Sequence, residues 1–352
     1  MRIIGRSRGP IGIDVGSRCI KAVQLQIIGG HPRIVAVSIL PRTQTGSKLD
    51  REETASLKQA LKRQGFCGND VVLAAPEDKL LRGVFELPHR VSGPALAQVV
   101  RMEMSRTHGV APDSFEMVWW EPPGSDKSKS IIQTIVLGCP HSVADPLLDV
   151  FEESGFNVRA LDTSTAAATR ACSCLTLPPP DVTCILDFGW SSTKLLLVCS
   201  GTVIYERPLE ETRMAHLVSR LTEKFSVNEE SACQLIATIG FTATADSNEL
   251  DQQSVEAIRK ILSSHFDALL EELKAPFVYA SRQYPGSGVK RLLLIGGGAR
   301  ISGLPQYLQQ ALNVEAMYAA PSDLLAGCDP MRTKAGNPVA TVALGLAEFN
   351  GA

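Results

Sequence analysis

The feature that most constrains this chain is a phrase written twice. Ile11-Gly12-Ile13-Asp14-Val15-Gly16-Ser17-Arg18-Cys19-Ile20-Lys21 is answered, 173 residues later, by Ile185-Leu186-Asp187-Phe188-Gly189-Trp190-Ser191-Ser192-Thr193-Lys194. Each copy is an apolar run ending in Asp-x-Gly, then four residues, then Lys. A buried strand would deliver a carboxylate to its end, and the glycine would let the backbone turn tightly enough for its N–H groups to face a ligand. Such a turn can cradle phosphate while the Asp holds Mg²⁺ through water. A third junction, Leu292-Leu293-Leu294-Ile295-Gly296-Gly297-Gly298-Ala299, is again an apolar strand ending in glycines. Any single copy would read as a β-hairpin with an ordinary Asp-Gly turn. Three such junctions, two carrying an acid, predict an α/β chain of two related lobes with one nucleotide site between them.

Composition narrows the class. At 352 residues the chain exceeds what one core usually organises, and 44% hydrophobic with 20% charged residues is ordinary globular content. A net charge of −2 argues against nucleic-acid binding, which normally needs an excess of Lys and Arg on one surface. Residues 1–10 carry three arginines but no apolar core of signal-peptide length. No run approaches the roughly 18 apolar residues of a spanning helix. The chain is therefore expected to be neither exported nor integral to a membrane. The nine cysteines are odd in number and mostly sit inside apolar runs, so they read as reduced small hydrophobes. Cys172-Ser173-Cys174 has no His at zinc-ligand spacing. With no His-x-x-x-His pair and no Gly-x-Ser-x-Gly elbow, zinc or triad hydrolysis has nothing to stand on.

Periodicity predicts three strands over residues 11–40, a helix over 52–64 and a buried strand over 71–75. A different texture follows: strand 80–87, helix 93–105, strand 115–120, a polar hairpin tip at 122–130, strand 131–138 and helix 142–154. It reads as a small domain inserted into the first lobe. A connecting helix at Leu161-Asp162-Thr163, continuing over 164–174, leads to Pro178-Pro179-Pro180, a stiff hinge. After the second hairpin the chain turns helical, over 213–225, 229–239 and 253–283, with a bend expected at Pro276 and a loop over 240–252. A helix over 304–312 enters through Gly303, and 338–349 reads as a closing helix. The expected organisation is a first lobe of 1–78 with 161–180 and 336–352, an insertion of 79–160, a second lobe of 181–206 and 276–335, and a helical subdomain of 207–275.

These residues carry a resemblance. The order of phosphate hairpin, insertion, connecting helix, second hairpin, helical subdomain and strand-Gly-Gly-Gly-helix resembles the actin-like ATPase superfamily, with its ribonuclease H-like fold. Within it, the chain is similar over nearly its whole length to the PilM family of type IV pilus assembly proteins. The carrying motifs are Gly12 to Gly16 with Lys21, Phe85-Glu86-Leu87-Pro88 with Glu103 in the helix that follows, Ser154-Gly155-Phe156-Asn157-Val158 leading to Asp162, Ile295 to Ala299 with Gly303-Leu304, and Ala343-Leu344-Gly345-Leu346-Ala347. The resemblance implies a cytoplasmic adaptor, peripheral to the inner membrane through a partner. Its groove in the inserted domain would grip the short N-terminal tail of PilN, a single-span membrane protein, and couple pilus motor components to the alignment complex. It implies ATP and Mg²⁺ as ligands and leaves room for self-association. It involves no nucleic acid and no direct membrane insertion. Asp14 and Asp187 would approach Mg²⁺. Gly16, Ser17, Arg18 and Lys21 would meet the phosphates from one side and Gly189, Ser191 and Ser192 from the other, with Gly296, Gly297, Gly298 and Ala299 on the adenosine. Val99, Val100 and Met102, with Met104 nearby, would line the peptide groove. No catalytic residue is assigned.

The chain departs from the family at the phosphates. Arg18 and Cys19 stand where small hydroxyl residues are common, and Trp190 where the second turn is usually small. Cys233-Gln234-Leu235-Ile236 replaces a Glu-x-x-Lys that faces adenosine in relatives. Ile cannot donate as Lys does, and losing one charged contact costs about 1.5–3 kcal/mol. Nucleotide binding is therefore expected to be weak or absent, and turnover at most slight. Two rival classes share the fold. A sugar or acetate kinase would need an acid to deprotonate its acceptor, for which Asp162 is the candidate. An FtsA-like membrane-associated filament protein would end in an amphipathic lipid-binding helix, whereas this sequence stops at Glu348-Phe349-Asn350-Gly351-Ala352.

Overall fold

Both halves of the chain build the same sheet by the same device. In the computed structural model, which describes residues 8–43, 46, 48–88, 94–123, 131–242, 251–284, 286–325 and 334–349, strands β1 (Arg8–Val15), β2 (Cys19–Ile28) and β3 (His31–Pro41) form an antiparallel meander. Helix α1 (Arg51–Arg63) then carries the chain to β4 (Asp70–Ala74), parallel to β1. Asp50 caps α1 by accepting from the Glu53 N–H at 2.7 Å. Most of the polar tip expected at 122–130 and of the loop expected at 240–252 lies outside the described residues.

The chain next makes a separate three-stranded antiparallel sheet from β5 (Leu81–Pro88), β6 (Phe115–Trp120) and β7 (Ile131–Pro140), in the order β5-β7-β6. Helix α2 (Pro94–His108) lies on one of its faces, packing Leu96, Val100 and Met104 against Leu87, Phe115 and Val136. Alternation sorts the strands. Leu87, Phe115 and Val136 point inward, while Val84 and Val118, at odd offsets from them, are 59% and 55% exposed.

The insertion ends earlier than expected. Helix α3 (His141–Glu153) sends Leu147 and Phe151 into the core of the first five-stranded sheet, alongside Ile13, Leu61 and Leu73. Residues 157–162 form strand β8 (Asn157–Asp162), which completes that sheet as β3-β2-β1-β4-β8 by pairing parallel with β4. Leu161 and Asp162 are thus strand, not the start of a connecting helix. Helix α4 (Ser164–Ala171) begins after them, with the Thr163 hydroxyl accepting from the Ala166 N–H at 3.0 Å. Sequence periodicity missed β8 because its burial does not alternate cleanly between the two faces.

The second sheet repeats the first. Strands β9 (Val182–Phe188), β10 (Thr193–Cys199) and β11 (Thr202–Leu209) form the meander. Helices α5 (Met214–Phe225), α6 (Glu229–Ile239) and α7 (Gln252–Gln283) follow. Then β12 (Val289–Ile295), α8 (Leu304–Leu312) and β13 (Glu315–Tyr318) give the order β11-β10-β9-β12-β13, after which comes the short helix α9 (Pro321–Leu324). α7 runs through Pro276 without ending. β10 is buried along its whole length, as a sheet covered on both faces requires. The closing helix, Thr341–Ala347, buries Val342, Leu344 and Leu346.

The chain divides into two compact units. One is Met1–Val15, Cys19–Ala167 and Ala343–Ala352, and the other is Gly16–Arg18 with Ala168–Val342. The turn of the first hairpin therefore belongs to the second unit.

Candidate phosphate hairpins and peptide surface

The spacing shared by the two phrases has a direct structural reading. In an antiparallel pair joined by a short turn, an Asp and a Lys seven residues on stand opposite each other. In the first unit Asp14 pairs with Lys21 across β1 and β2, and the ammonium lies 2.8 Å from the carboxylate with both side chains largely buried. In the second unit Asp187 pairs with Lys194 across β9 and β10, and Lys194 is buried. The lysine expected to reach phosphate is thus held at the Asp of its own hairpin. Losing either member of the Asp14–Lys21 pair would strand a nearly buried charge.

Of the glycines, two positions need no ligand to explain them. A Cβ on Gly12 would stand 2.2 Å from the carbonyl oxygen of Ala343 and 2.3 Å from the nitrogen of Ala347, so Gly12 lets the closing helix lie on β1. A Cβ on Gly298 would meet the Met214 sulfur at 2.4 Å. Gly298 and Ala299 are both buried. Gly296 has φ of 83°, and its Cβ would lie 2.4 Å from a carboxylate oxygen of Asp187. Close approach of the β12 turn to the second Asp therefore requires glycine there. Gly297 is exposed and open, with only Val339 near its Cβ position, at 3.8 Å.

The second hairpin is tightly built. The Gly189 N–H donates to the Asp187 carbonyl at 3.1 Å, and a Cβ on Gly189 would collide with the Ser192 oxygen at 2.5 Å. The N–H groups of Met214 and Ala215, at the start of α5, donate to the carbonyls of Gly189 and Trp190 at 3.2 and 3.0 Å. Two of the first α5 donors are thus spent on the turn itself. Behind it, the Thr193 hydroxyl donates to the Thr212 carbonyl at 2.8 Å, and the His265 ring nitrogen Nε2 lies 3.1 Å from the same oxygen. Burial is the main cause that pushes the His265 pKa down to about 4, against the opposing Thr212 hydrogen bond, so the ring is neutral at pH 7 and Nε2 donates.

The turn of the first hairpin meets this assembly through the residues that depart from the family pattern. The Ser17 and Ser191 hydroxyls lie 3.4 Å apart. The Arg18 guanidinium stands over the Trp190 ring at 4.1 Å from its centroid, and its Nη1 donates to the Cys233 sulfur of α6 at 3.3 Å. Ile236, where a Lys was missed, is buried in the core of the second unit. Each departure is visible in sequence, but nothing in the sequence pairs Arg18 with Trp190.

Among the described residues, no group of three or more His, Cys, Asp or Glu side chains could hold a metal ion. The donor set does not suit a protein-ligated cation.

On the inserted subdomain, the three expected groove residues part company. Met102 is 60% and Val99 37% exposed, on the side of α2 away from the sheet. Val100 is completely buried beneath α2 and cannot line a groove, a correction that follows from its packing against the sheet. Asp162, the base required by a kinase, accepts from the Thr163 N–H at 2.7 Å.

The profile of the type IV pilus assembly protein PilM family matches residues 12–348. The chain belongs to that family. No curated protein matches it. Among solved structures, the chain in the PilM–PilN type IV pilus biogenesis complex superposes with a TM-score of 0.76 at 21% identity, covering 98% of both chains. The ethanolamine utilization protein EutJ from Carboxydothermus hydrogenoformans gives 0.55 at 13% identity, covering 99% of this chain and 91% of that one. MreB5 of Spiroplasma citri, bound to AMPPNP, gives 0.53 at 15% identity, with 98% and 97% covered. The fold is thus that of the actin-like proteins. Among the described residues, no helix is long and apolar enough to cross a membrane.

Proposed function

We propose that this protein is a type IV pilus assembly adaptor, peripheral to the inner membrane, whose inserted subdomain captures the N-terminal cytoplasmic tail of a PilN-like single-span partner. The observation that carries this reading is the family match across nearly the whole chain, inserted subdomain included. Chemistry supports it. Among the described residues, the outer strands of the antiparallel sheet β5-β7-β6 each pair on one side only, so either could accept an added strand. Val99 and Met102 offer adaptable apolar contacts on α2. The test is titration of the pure protein with a synthetic peptide of the PilN tail. Met102→Glu should weaken binding about fivefold or more, the scale of one lost interface anchor. Unchanged affinity in a Val99→Asp/Met102→Glu double variant would refute this placement of the groove.

The two hairpins form, in the same proposal, a reduced nucleotide site. Asp14 and Asp187 would face a nucleotide-borne Mg²⁺ through water, and Ser17, Gly189, Ser191, Ser192 and Gly297 would supply backbone and hydroxyl contacts. Bound Mg²⁺ would screen phosphate charge; the protein's own residues would only position. Asp187→Ala should abolish ATP binding measured by calorimetry, and equal affinity for variant and parent would exclude the site. In the kinase alternative the base would be Asp162, one carboxylate oxygen of which accepts from the Thr163 N–H at 2.7 Å.

A further inference from the structure

Three residues far apart in sequence, Arg18, Trp190 and Cys233, converge on one contact, and each stands where the family pattern has something smaller or differently charged. The guanidinium lies 4.1 Å from the Trp190 ring centroid and its Nη1 3.3 Å from the Cys233 sulfur. Beside it the Ser17 and Ser191 hydroxyls lie 3.4 Å apart. At that distance the Ser17 hydroxyl donates to the Ser191 hydroxyl, closer than a shared anion would hold the pair. Two hydroxyls donating to one phosphate oxygen, with bonds of about 2.75 Å at a tetrahedral angle, stand about 4.5 Å apart, and farther when they serve different oxygens. The two turns therefore touch through the hydroxyl pair and through the cation over the ring.

We propose that Arg18 and Trp190 form a latch that regulates the nucleotide site: the side chain of Arg18 takes up the place of the anion, and a phosphate enters only when the guanidinium leaves the ring. This rests on the reading of the hairpins as a nucleotide site. The contact suits a latch rather than a permanent brace. A cation over an aromatic face at a half-exposed position is weak enough to be displaced by phosphate, for which guanidinium has two matching donors. The Cys233 sulfur is a weak acceptor that holds Arg18 in direction without holding it tightly. Trp190 itself stays put, since the Ala215 amide fixes its carbonyl at 3.0 Å and its ring packs on the core of the second unit.

The test is calorimetry with Mg-ADP on the full-length protein, Arg18→Ala and Arg18→Lys, with tryptophan emission followed in parallel and Trp190→Phe as its control. Removing the latch should tighten Mg-ADP binding about two- to fivefold, the range of an exposed cation–π contact. Arg18→Lys should fall nearer the parent. Mg-ADP should change the emission of the parent but not that of Arg18→Ala, whose ring is already free. Weaker binding by Arg18→Ala would make Arg18 a phosphate ligand in the bound state that outweighs any latch, overturning the proposal. Equal binding by parent and Arg18→Ala would overturn the latch and leave the nucleotide site standing. Absence of binding in all three proteins would overturn both.

Discussion

Acidification should loosen the second unit through one residue, His265, before the carboxylates are reached. Its ring is 3% exposed, its Nε2 is engaged with the Thr212 carbonyl, and its pKa is pushed down to about 4 from an ordinary value of 6.5. A histidine whose folded pKa is depressed stays neutral in the native state while the unfolded chain takes up a proton. The stability this confers is complete above about pH 6.5 and is lost as the pH falls toward 4. Between pH 7 and pH 5 the loss amounts to about 2 kcal/mol, at 1.36 kcal/mol for each tenfold change in proton activity that the folded state fails to match. Because a chain of two units need not unfold in one step, the assay is amide hydrogen exchange of the α7 segment around Leu262, Phe266 and Leu269, with intrinsic rates divided out. His265→Gln keeps a donor to Thr212 but removes the titration. The parent should lose about 2 kcal/mol of opening free energy between pH 7 and pH 5, and the variant much less. An equal loss in both proteins would refute the assignment and place the acid sensitivity on other groups.

Val100→Glu should unfold the three-stranded subdomain, since burying an unpaired carboxylate at a fully enclosed site costs several kcal/mol; circular dichroism and limited proteolysis would show it. Met102→Glu should leave both measurements unchanged while weakening the peptide. Gly12→Ala should destabilise the first unit by about 1–3 kcal/mol or more, because the new methyl meets the Ala343 and Ala347 backbone, not a flexible side chain; a calorimetric melt unaltered from the parent would contradict this. Phosphate release from Mg-ATP should stay at background, since the proposed site assigns no side chain to orient an attacking water. Steady turnover near 1 per second would be incompatible with that view.

The parts legible in sequence were those written in local code. Asp-x-Gly at the end of an apolar run marked both hairpins, Gly303 marked the entry to α8, and the 3.6-residue spacing of Leu57 and Leu61 placed α1 to within a residue at each end. Strands β8 and β13 were missed because each is short and takes its identity from a parallel neighbour that a linear reading cannot supply. Val100 was misplaced for a related reason. Val99, Val100 and Met102 are all apolar and adjacent, and only the direction of α2 over its sheet tells which one faces inward. Gly298 and Gly12 carried motif-like signals that the fold explains by packing. The contact of Arg18 with Trp190 joins positions 172 residues apart, a separation at which residue identity alone has nothing to say.

The two related hairpins also share a way of stabilising their acids without a ligand. In each, the carboxylate is aligned with a lysine of its own meander, and in the first the two groups are in direct contact at 2.8 Å. Such a pair keeps an Asp at the end of a buried strand without any bound cation, so loss of Mg-nucleotide would not expose an uncompensated charge and would cost the sheet little. The second hairpin is further tied to α5 through Met214 and Ala215 and to α7 through Thr212 and His265. The inserted subdomain stands outside this constraint. Its core of Leu87, Leu96, Val100, Met104, Phe115 and Val136 is separate from that of either five-stranded sheet. Its exposed face can therefore change without disturbing the hairpins, as the proposed adaptor role would require.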